Sequence, residues 1–259
     1  MRLEDATILI VDDEPDLREI FSAWLECERC TVLTASNGME ALSILETTKV
    51  DVLLSDIRMP VMDGVELVRE VFKRKLEVPS IIFVSGFGVV HLREMYGLGV
   101  EAMIEKPLTR KYLVQVLHDT LKEREELWLI PSARPVEEVE LAMGSLAETE
   151  ATCQFQMGKG GCCFTSDRPL TEATTIGLSI EFAGDGRKLK AQGAVRWFDD
   201  ATSQAGVSFL YLDSSCRDWV IAGMRKWAYR SFIPECRCDT SDVSSGDAAQ
   251  TIVGASIPR

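Results

Sequence analysis

Four short apolar runs, residues 7–11, 50–54, 80–84 and 102–104, each deliver polar residues at their carboxyl ends. These are Asp12 and Asp13, then Asp56, then Ser85, then Lys106 followed by Pro107. Between the runs, apolar residues return at helical spacing. Leu17, Ile20, Phe21, Trp24 and Leu25 make one stripe, and Ala41, Leu42, Ile44 and Leu45 a second, behind Asn37 and Glu40 placed as a capping box. Val65, Leu67, Val68, Val71 and Phe72 follow Gly64, Leu92, Met95 and Leu98 mark a shorter helix, and Leu113, Val116, Leu117 and Leu121 a fifth that begins at Thr109. Strands alternating with helices predict right-handed crossovers and an α/β doubly wound parallel sheet over roughly the first 125 residues. Ligands of such open sheets bind outside the carboxyl ends of the strands.

Beyond residue 135 the period changes from helical to alternating. Val139 and Leu141 alternate, as do Cys153, Phe155 and Met157, then Ile176, Leu178, Ile180 and Phe182. Leu189, Ala191 and Gly193 lead on to Trp197, and Val207, Phe209 and Tyr211 close the series. Gly184-Asp185-Gly186 reads as a hairpin turn. The pattern predicts a small antiparallel β-barrel. A helix over 214–232 should cover one open end with Trp219, Val220, Met224 and Trp227. Charged residues 122–126 suggest that the fifth helix overruns as a stiff connector, ended by Pro131 and Pro135. The polar residues 239–259 read as disordered. The expected division is 1–125, a linker 126–135, a barrel 136–234 and a tail 235–259.

Three carboxylates, a hydroxyl and an ammonium at adjacent strand ends make a divalent-cation and phosphoryl site. Like charges about 4 Å apart cost roughly 1–4 kcal/mol per pair at effective dielectrics of 80 to 20, so the acids need a cation. Mg²⁺, a hard ion with oxygen ligands, suits them. Residues 56–64, Asp-Ile-Arg-Met-Pro-Val-Met-Asp-Gly, complete the pattern. It closely resembles the receiver domain of two-component response regulators. The resemblance implies a flavodoxin-like five-stranded sheet of order 2-1-3-4-5, with Asp56 as phosphoacceptor. It implies that Asp12, Asp13, Asp56 and the backbone carbonyl of Arg58 hold Mg²⁺, and that Ser85 and Lys106 steady the phosphoryl group. Met103 stands where receivers usually carry an aromatic switch residue. Because methionine is flexible, looser coupling is expected there. Arg93, Glu101 and Lys111 fall where DNA-binding relatives pair across a receiver dimer, so a phosphorylation-dependent homodimer is expected. The donor would be a sensor histidine kinase or phosphotransfer protein.

Residues 160–164, 193–197 and 206–212 match the order and spacing of a PilZ domain, a family of barrels that typically bind cyclic di-GMP. Its binding motifs are eroded. Residues 156–161, Gln-Met-Gly-Lys-Gly-Gly, lack the acid or amide and the serine, and residues 130–134 keep only Arg134 of an arginine pair. Each lost charge-assisted bond costs about 1.5–3 kcal/mol. Two or three such losses carry a micromolar site beyond ~1 mM. The expectation is a PilZ-like output that contacts an unidentified protein without the nucleotide; the alternative keeps cyclic di-GMP through Arg134. The charge of −13 disfavours nucleic acid, so a DNA-binding regulator ranks below both. No nucleophile–base set follows residue 130, so a signalling protein rather than an enzyme is expected. No run approaches the ~18 apolar residues needed for a membrane span, and no signal-peptide layout precedes the first strand, so a cytoplasmic location is expected. There, eight cysteines should stay reduced and serve as small apolar residues; Cys27-x-x-Cys30 has no second pair to complete a zinc site.

Overall fold

The computed structural model describes residues 1–86, 91–122, 126, 128–131, 134–226 and 231–236. After a 3₁₀ turn at Leu3–Asp5, the first half runs β1(Thr7–Val11), α1(Pro15–Glu26), β2(Thr31–Ala35), α2(Gly38–Leu45), β3(Val52–Asp56). It continues through α3(Gly64–Lys73), β4(Ser80–Ser85), α4(Leu92–Gly97), β5(Val100–Glu105) and α5(Arg110–Leu121). All pairings are parallel, in the order β2-β1-β3-β4-β5. Alternate strand residues serve opposite faces. Ile8, Ile10, Leu54, Ile82 and Ile104 meet Phe21, Leu25, Leu113 and Leu117 of α1 and α5. Leu9, Val11, Leu53 and Phe83 meet Leu42, Leu67, Val68 and Met95 of α2, α3 and α4. In the central strands β1, β3 and β4 the positions covered on both sides are apolar, with Ser55 the exception, and the functional groups stand at or just past the carboxyl ends.

The second half forms a six-stranded sheet of order β6-β9-β10-β11-β8-β7. Its strands are β6(Glu137–Met143), β7(Phe155–Met157), β8(Gly161–Thr165), β9(Thr175–Phe182), β10(Arg187–Asp199) and β11(Gln204–Leu212). Helices α6(Leu146–Ala151) and α7(Ser214–Lys226) complete it. The predicted hairpin is present, with Phe182 opposite Arg187 and Gly186 at φ +60°. Two register shifts in the long β10 curl the sheet around Phe155, Phe164, Phe182 and Val207. Trp219 and Val220 of α7 pack on this core, while the Met224 side chain and Trp227 lie outside the described residues.

Four expectations change. The sheet is mixed rather than antiparallel, because β6 pairs parallel with β9. A parallel pair needs a long crossover, and α6, β7 and β8 supply it. No pairing joins β6 to β7 to close a barrel among the described residues. The fifth helix does not overrun: α5 stops at Leu121 and Lys122 is extended (φ −65°, ψ 144°). Trp128 is buried in the second core, its indole N–H donating to the Phe209 carbonyl at 2.9 Å. The last helix is described to Lys226 and does not reach Phe232, since Ser231–Cys236 runs without helical structure. Finally, Cys153 is disulfide-bonded, whereas Cys30, Cys162, Cys163, Cys216 and Cys236 are buried free thiols and Cys27 is an exposed one. The predicted tail lies outside the described residues from 237 onward, as do connector positions 123–125 and 127.

Candidate phosphoryl and cation site

Strand register assembles the site. Val11 lies opposite Ser55, Asp56 opposite Val84, and Ser85 opposite Glu105, so Asp12, Asp56, Ser85 and Lys106 leave the sheet at one level. The Lys106 N–H donates to the Ser85 carbonyl at 2.7 Å, fastening β5 to β4 there. The Lys106 ammonium lies between two carboxylates, 2.9 Å from Asp12 Oδ2 and 2.5 Å from Asp56 Oδ2. Burial disfavours this ammonium, yet hydrogen bonds to Asp56 and Asp12 outweigh burial and raise its pKa. A raised lysine pKa stabilises the fold fully below the unfolded value and loses that contribution only as pH rises through the folded value. The positive charge therefore persists throughout the neutral range.

Asp12 is buried and both its oxygens are engaged, since the Glu14 N–H also donates to Oδ1 at 2.9 Å. Arg18 holds the Asp12 carbonyl at 2.6 Å. Asp13 is exposed and its carboxylate accepts no hydrogen bond from the described residues. Carboxylate oxygens of Asp12, Asp13 and Asp56 lie within 4.8 Å of one another. Three hard oxygen donors with excess negative charge fit Mg²⁺ better than a softer metal. Arg58 meets Asp56 through its backbone N–H, 3.0 Å from Oδ1. The Ser85 hydroxyl, half-buried, donates to the Gly86 carbonyl at 2.9 Å.

Two supports escaped the sequence reading. The buried Ser55 hydroxyl donates to the Asp56 carbonyl at 2.7 Å. A Cβ on Gly64 would stand 2.3 Å from that same carbonyl, so the loop closes against Asp56 only because residue 64 has no side chain. The signal was the Asp63-Gly64 pair, where Asp63 also forms a full capping box with Glu66 for α3. Gly64→Ala should therefore push the Asp56 loop aside and cost about 1–3 kcal/mol in chemical denaturation, as overpacking does.

The expected dimer residues lie apart from this site. Arg93 is ion-paired to Asp199, donates to Gln204 Oε1 at 3.2 Å, lies 3.5 Å from Glu235, and stacks 5.0 Å over Trp197. Glu101 accepts from Ser80 Oγ at 3.2 Å and faces Lys159 at 4.0 Å. Two of the three residues are thus committed within the chain, to the second sheet, and only Lys111 is exposed. Pattern alone could not separate these uses, because a pairing charge looks the same in either case. Met103 is half-buried and lines a cleft of about 680 Å³ between the sheets, with Tyr112, Arg196 and Phe209. Arg134 is exposed. Among the described residues no helix is long and apolar enough to cross a membrane.

Residues 8–118 match the family model of the response regulator receiver domain. Transcriptional regulatory protein GlrR of Escherichia coli (strain K12) is 33% identical over 123 residues, 48% of this chain and 28% of that protein. Response regulator SaeR of Staphylococcus aureus (strain USA300) is 32% identical over 114 residues, 44% of this chain and 50% of that one. The chain thus spans half or less of the length of these curated relatives. The solved chemotaxis protein CheY4 of Vibrio cholerae is 28% identical, with a TM-score of 0.42, covering 45% of this chain and 99% of that one.

Proposed function

We propose that this chain, whose N-terminal half is a response regulator receiver domain, accepts a phosphoryl group on Asp56 and relays its arrival to the sheet that follows. The observation that carries the reading is one ammonium, Lys106, held between Asp12 and Asp56 at the strand ends. Asp56 is the half-buried acid with Ser85 and Lys106 beside it at that level. Its carboxylate forms the new O–P bond as the donor's N–P bond breaks, and the electron pair leaves with the imidazole of a histidine kinase or phosphotransfer protein. Lys106 and the Ser85 hydroxyl meet the phosphoryl oxygens. Bound Mg²⁺ would neutralise the clustered carboxylates and the incoming charge, held by Asp12, Asp13, Asp56 and the Arg58 carbonyl. Asp13, with its carboxylate free, suits a direct bond; Asp12, already engaged, suits an indirect one.

The output is a PilZ-like unit spanning 136–234, joined through 126–135 and working in the cytoplasm on a protein partner. Support for a lost nucleotide comes from residues 156–161, where the eroded motif lies. Gly160 is covered by Phe232: a Cβ there would fall 2.0 Å from its ring. The chain fills that place with its own side chain. Met103, in the cleft between the sheets, is placed to pass on the state of β5. Dimerisation through Arg93, Glu101 and Lys111 then requires the second sheet to move away first.

The test is incubation of the whole chain with acetyl phosphate and Mg²⁺, followed by peptide mapping. Hydroxylamine-labile phosphate is expected on the tryptic peptide 50–58. That peptide also holds Asp51, which accepts the Thr7 N–H at 2.9 Å and should remain unmodified. Phosphate confined to other peptides overturns the assignment. Asp13→Ala should lower Mg²⁺ affinity by at least ~10-fold in calorimetric titration, the loss typical even of residues that only support a metal's ligands. Saturable binding of cyclic di-GMP would replace the protein-contacting output with a nucleotide-gated one.

A further inference from the structure

Adjacent residues of a strand face opposite ways, and β8 uses this to separate two thiols. Cys162 enters the core of the second sheet. Cys163 points the other way, into a cluster with Tyr96 of α4, Cys153, Trp197, Phe232, Ile233 and Cys236. Cys163 and Cys236 are both buried in this one cluster, and the Cys236 thiol stands near enough to raise the Cys163 pKa. The backbone agrees independently. Cys163 lies opposite Gly206 on β11, and two residues along that strand the Gln204 amide donates to the Cys236 carbonyl at 2.9 Å.

Cys236 belongs to a segment, residues 231–236, that is stitched to both halves of the molecule. The N–H groups of Lys159 and Gly160 donate to the carbonyls of Ser231 and Phe232 at 3.1 and 3.0 Å. The Phe232 N–H donates to the carbonyl of Tyr96, in the receiver, at 2.9 Å, and the two rings stack 6.0 Å apart. Gly158 is part of the seat, since a Cβ there would meet the Ser231 carbonyl oxygen at 2.6 Å. The same cluster already contains oxidised sulfur, in Cys153.

We propose that Cys163 and Cys236 are an oxidisable pair, and that closing a disulfide between them fastens the 231–236 segment in place and holds α4 of the receiver against the second sheet. The oxidant is a low-molecular-weight disulfide such as oxidised glutathione. When the segment lifts, the Cys236 thiolate attacks one sulfur of the oxidant, forming a mixed disulfide and releasing one small thiolate. On redocking, Cys163 loses its proton and attacks the Cys236 sulfur, breaking the mixed disulfide and releasing the second. Two protein thiols and one small disulfide become one protein disulfide and two small thiols; the protons end on the latter. Burial raises the Cys163 pKa well above that of a free thiol, so its thiolate fraction is small and the second, intramolecular step is the slower one. The inference rests on the docked arrangement and not on the phosphoryl reading, so Asp56→Asn should leave it unaltered.

The whole chain, oxidised with glutathione disulfide, alkylated and digested with trypsin, tests it. The peptide beginning at Gly160 should be found joined to peptide 231–237, two hydrogens lighter than the sum, with fragmentation placing the link at Cys163. It should vanish in Cys163→Ser and persist in Cys162→Ser. Amide exchange at Gly160 and Phe232 should slow by about tenfold or more on oxidation, because such amides exchange through local opening. Free Cys163 and Cys236 after full oxidation, a link through Cys162 or Cys153 instead, or a link that leaves exchange unchanged would each overturn the proposal. The wild-type map stands even if a serine variant fails to fold.

Discussion

Asp56→Asn removes hydroxylamine-labile phosphate from the chain to background, whatever the donor. The amide is nearly isosteric, so the loop survives: the Arg58 N–H can still donate to a side-chain oxygen, and Lys106 keeps Asp12. What disappears is the nucleophile, together with one of three clustered charges. Neutralising it relieves repulsion worth about 1–4 kcal/mol per pair at 4 Å, offset by the lost contact with Lys106. The net stability change in metal-free buffer should therefore be small. Mg²⁺ makes a second readout, because a ligand of the folded state stabilises by RT ln(1 + [L]/Kd). The rise in melting temperature with Mg²⁺ should be clear in the wild type and reduced in Asp56→Asn. Undiminished labelling of the variant would remove Asp56 from the mechanism.

Arg93→Ala opens the contact between the receiver and the second sheet. One guanidinium serves Asp199, Gln204, Glu235 and the face of Trp197, and its removal takes a cation 3.5 Å away from the Glu235 carboxylate, which is only 14% exposed. Hydrogen bonds to charged groups are worth about 1.5–3 kcal/mol each, so the docked form should lose roughly 2–4 kcal/mol. The variant should show faster proteolysis near residues 231–236 and, as the loss nears about 4 kcal/mol, a larger radius of gyration by small-angle scattering. Asp199→Ala should weaken the same contact from the other side while keeping the Arg93 side chain, with its contacts to Gln204, Glu235 and Trp197. With beryllofluoride and Mg²⁺, that variant should form dimers at lower concentration than the wild type, whereas Arg93→Ala should not. If both variants keep the wild-type proteolysis rate and radius, Arg93 does not hold the two parts together.

Much of the receiver could be read from residue order because its strands are sheathed on both faces. Runs such as Ile8-Leu9-Ile10-Val11 admit no polar residue before their ends, so Asp12, Asp56, Ser85 and Lys106 announced both the strand limits and the site. β2 was not singled out, since it lies at the sheet edge and its threonines interrupt the pattern: Thr31 and Thr34 are exposed. α6 was also overlooked, although Ser145 and Glu148 form a capping box around its start. The parallel pairing of β6 with β9 had no local signal, because alternation tells which side of a strand is buried but not which neighbour it meets. The commitment of Arg93 and Glu101 was likewise illegible, being decided by how two sheets sit together. The Asn37 cap on α2 came out nearly as read: Asn37 accepts the Glu40 N–H, but Glu40 turns to the N–H and hydroxyl of Ser36.

The anchoring of Trp128 in the second core, against an α5 that ends at Leu121, leaves a connector of six residues, 122–127. A tether that short holds the two surfaces at an effective concentration of about millimolar. A contact that would bind with a micromolar dissociation constant as separate pieces is then open only about one time in a thousand. Inverting that ratio to mostly open takes roughly 4 kcal/mol or more. Whatever opens the chain, phosphoryl group or partner, must favour the open form by that much, and a weak competitor supplied from outside at micromolar levels will not suffice.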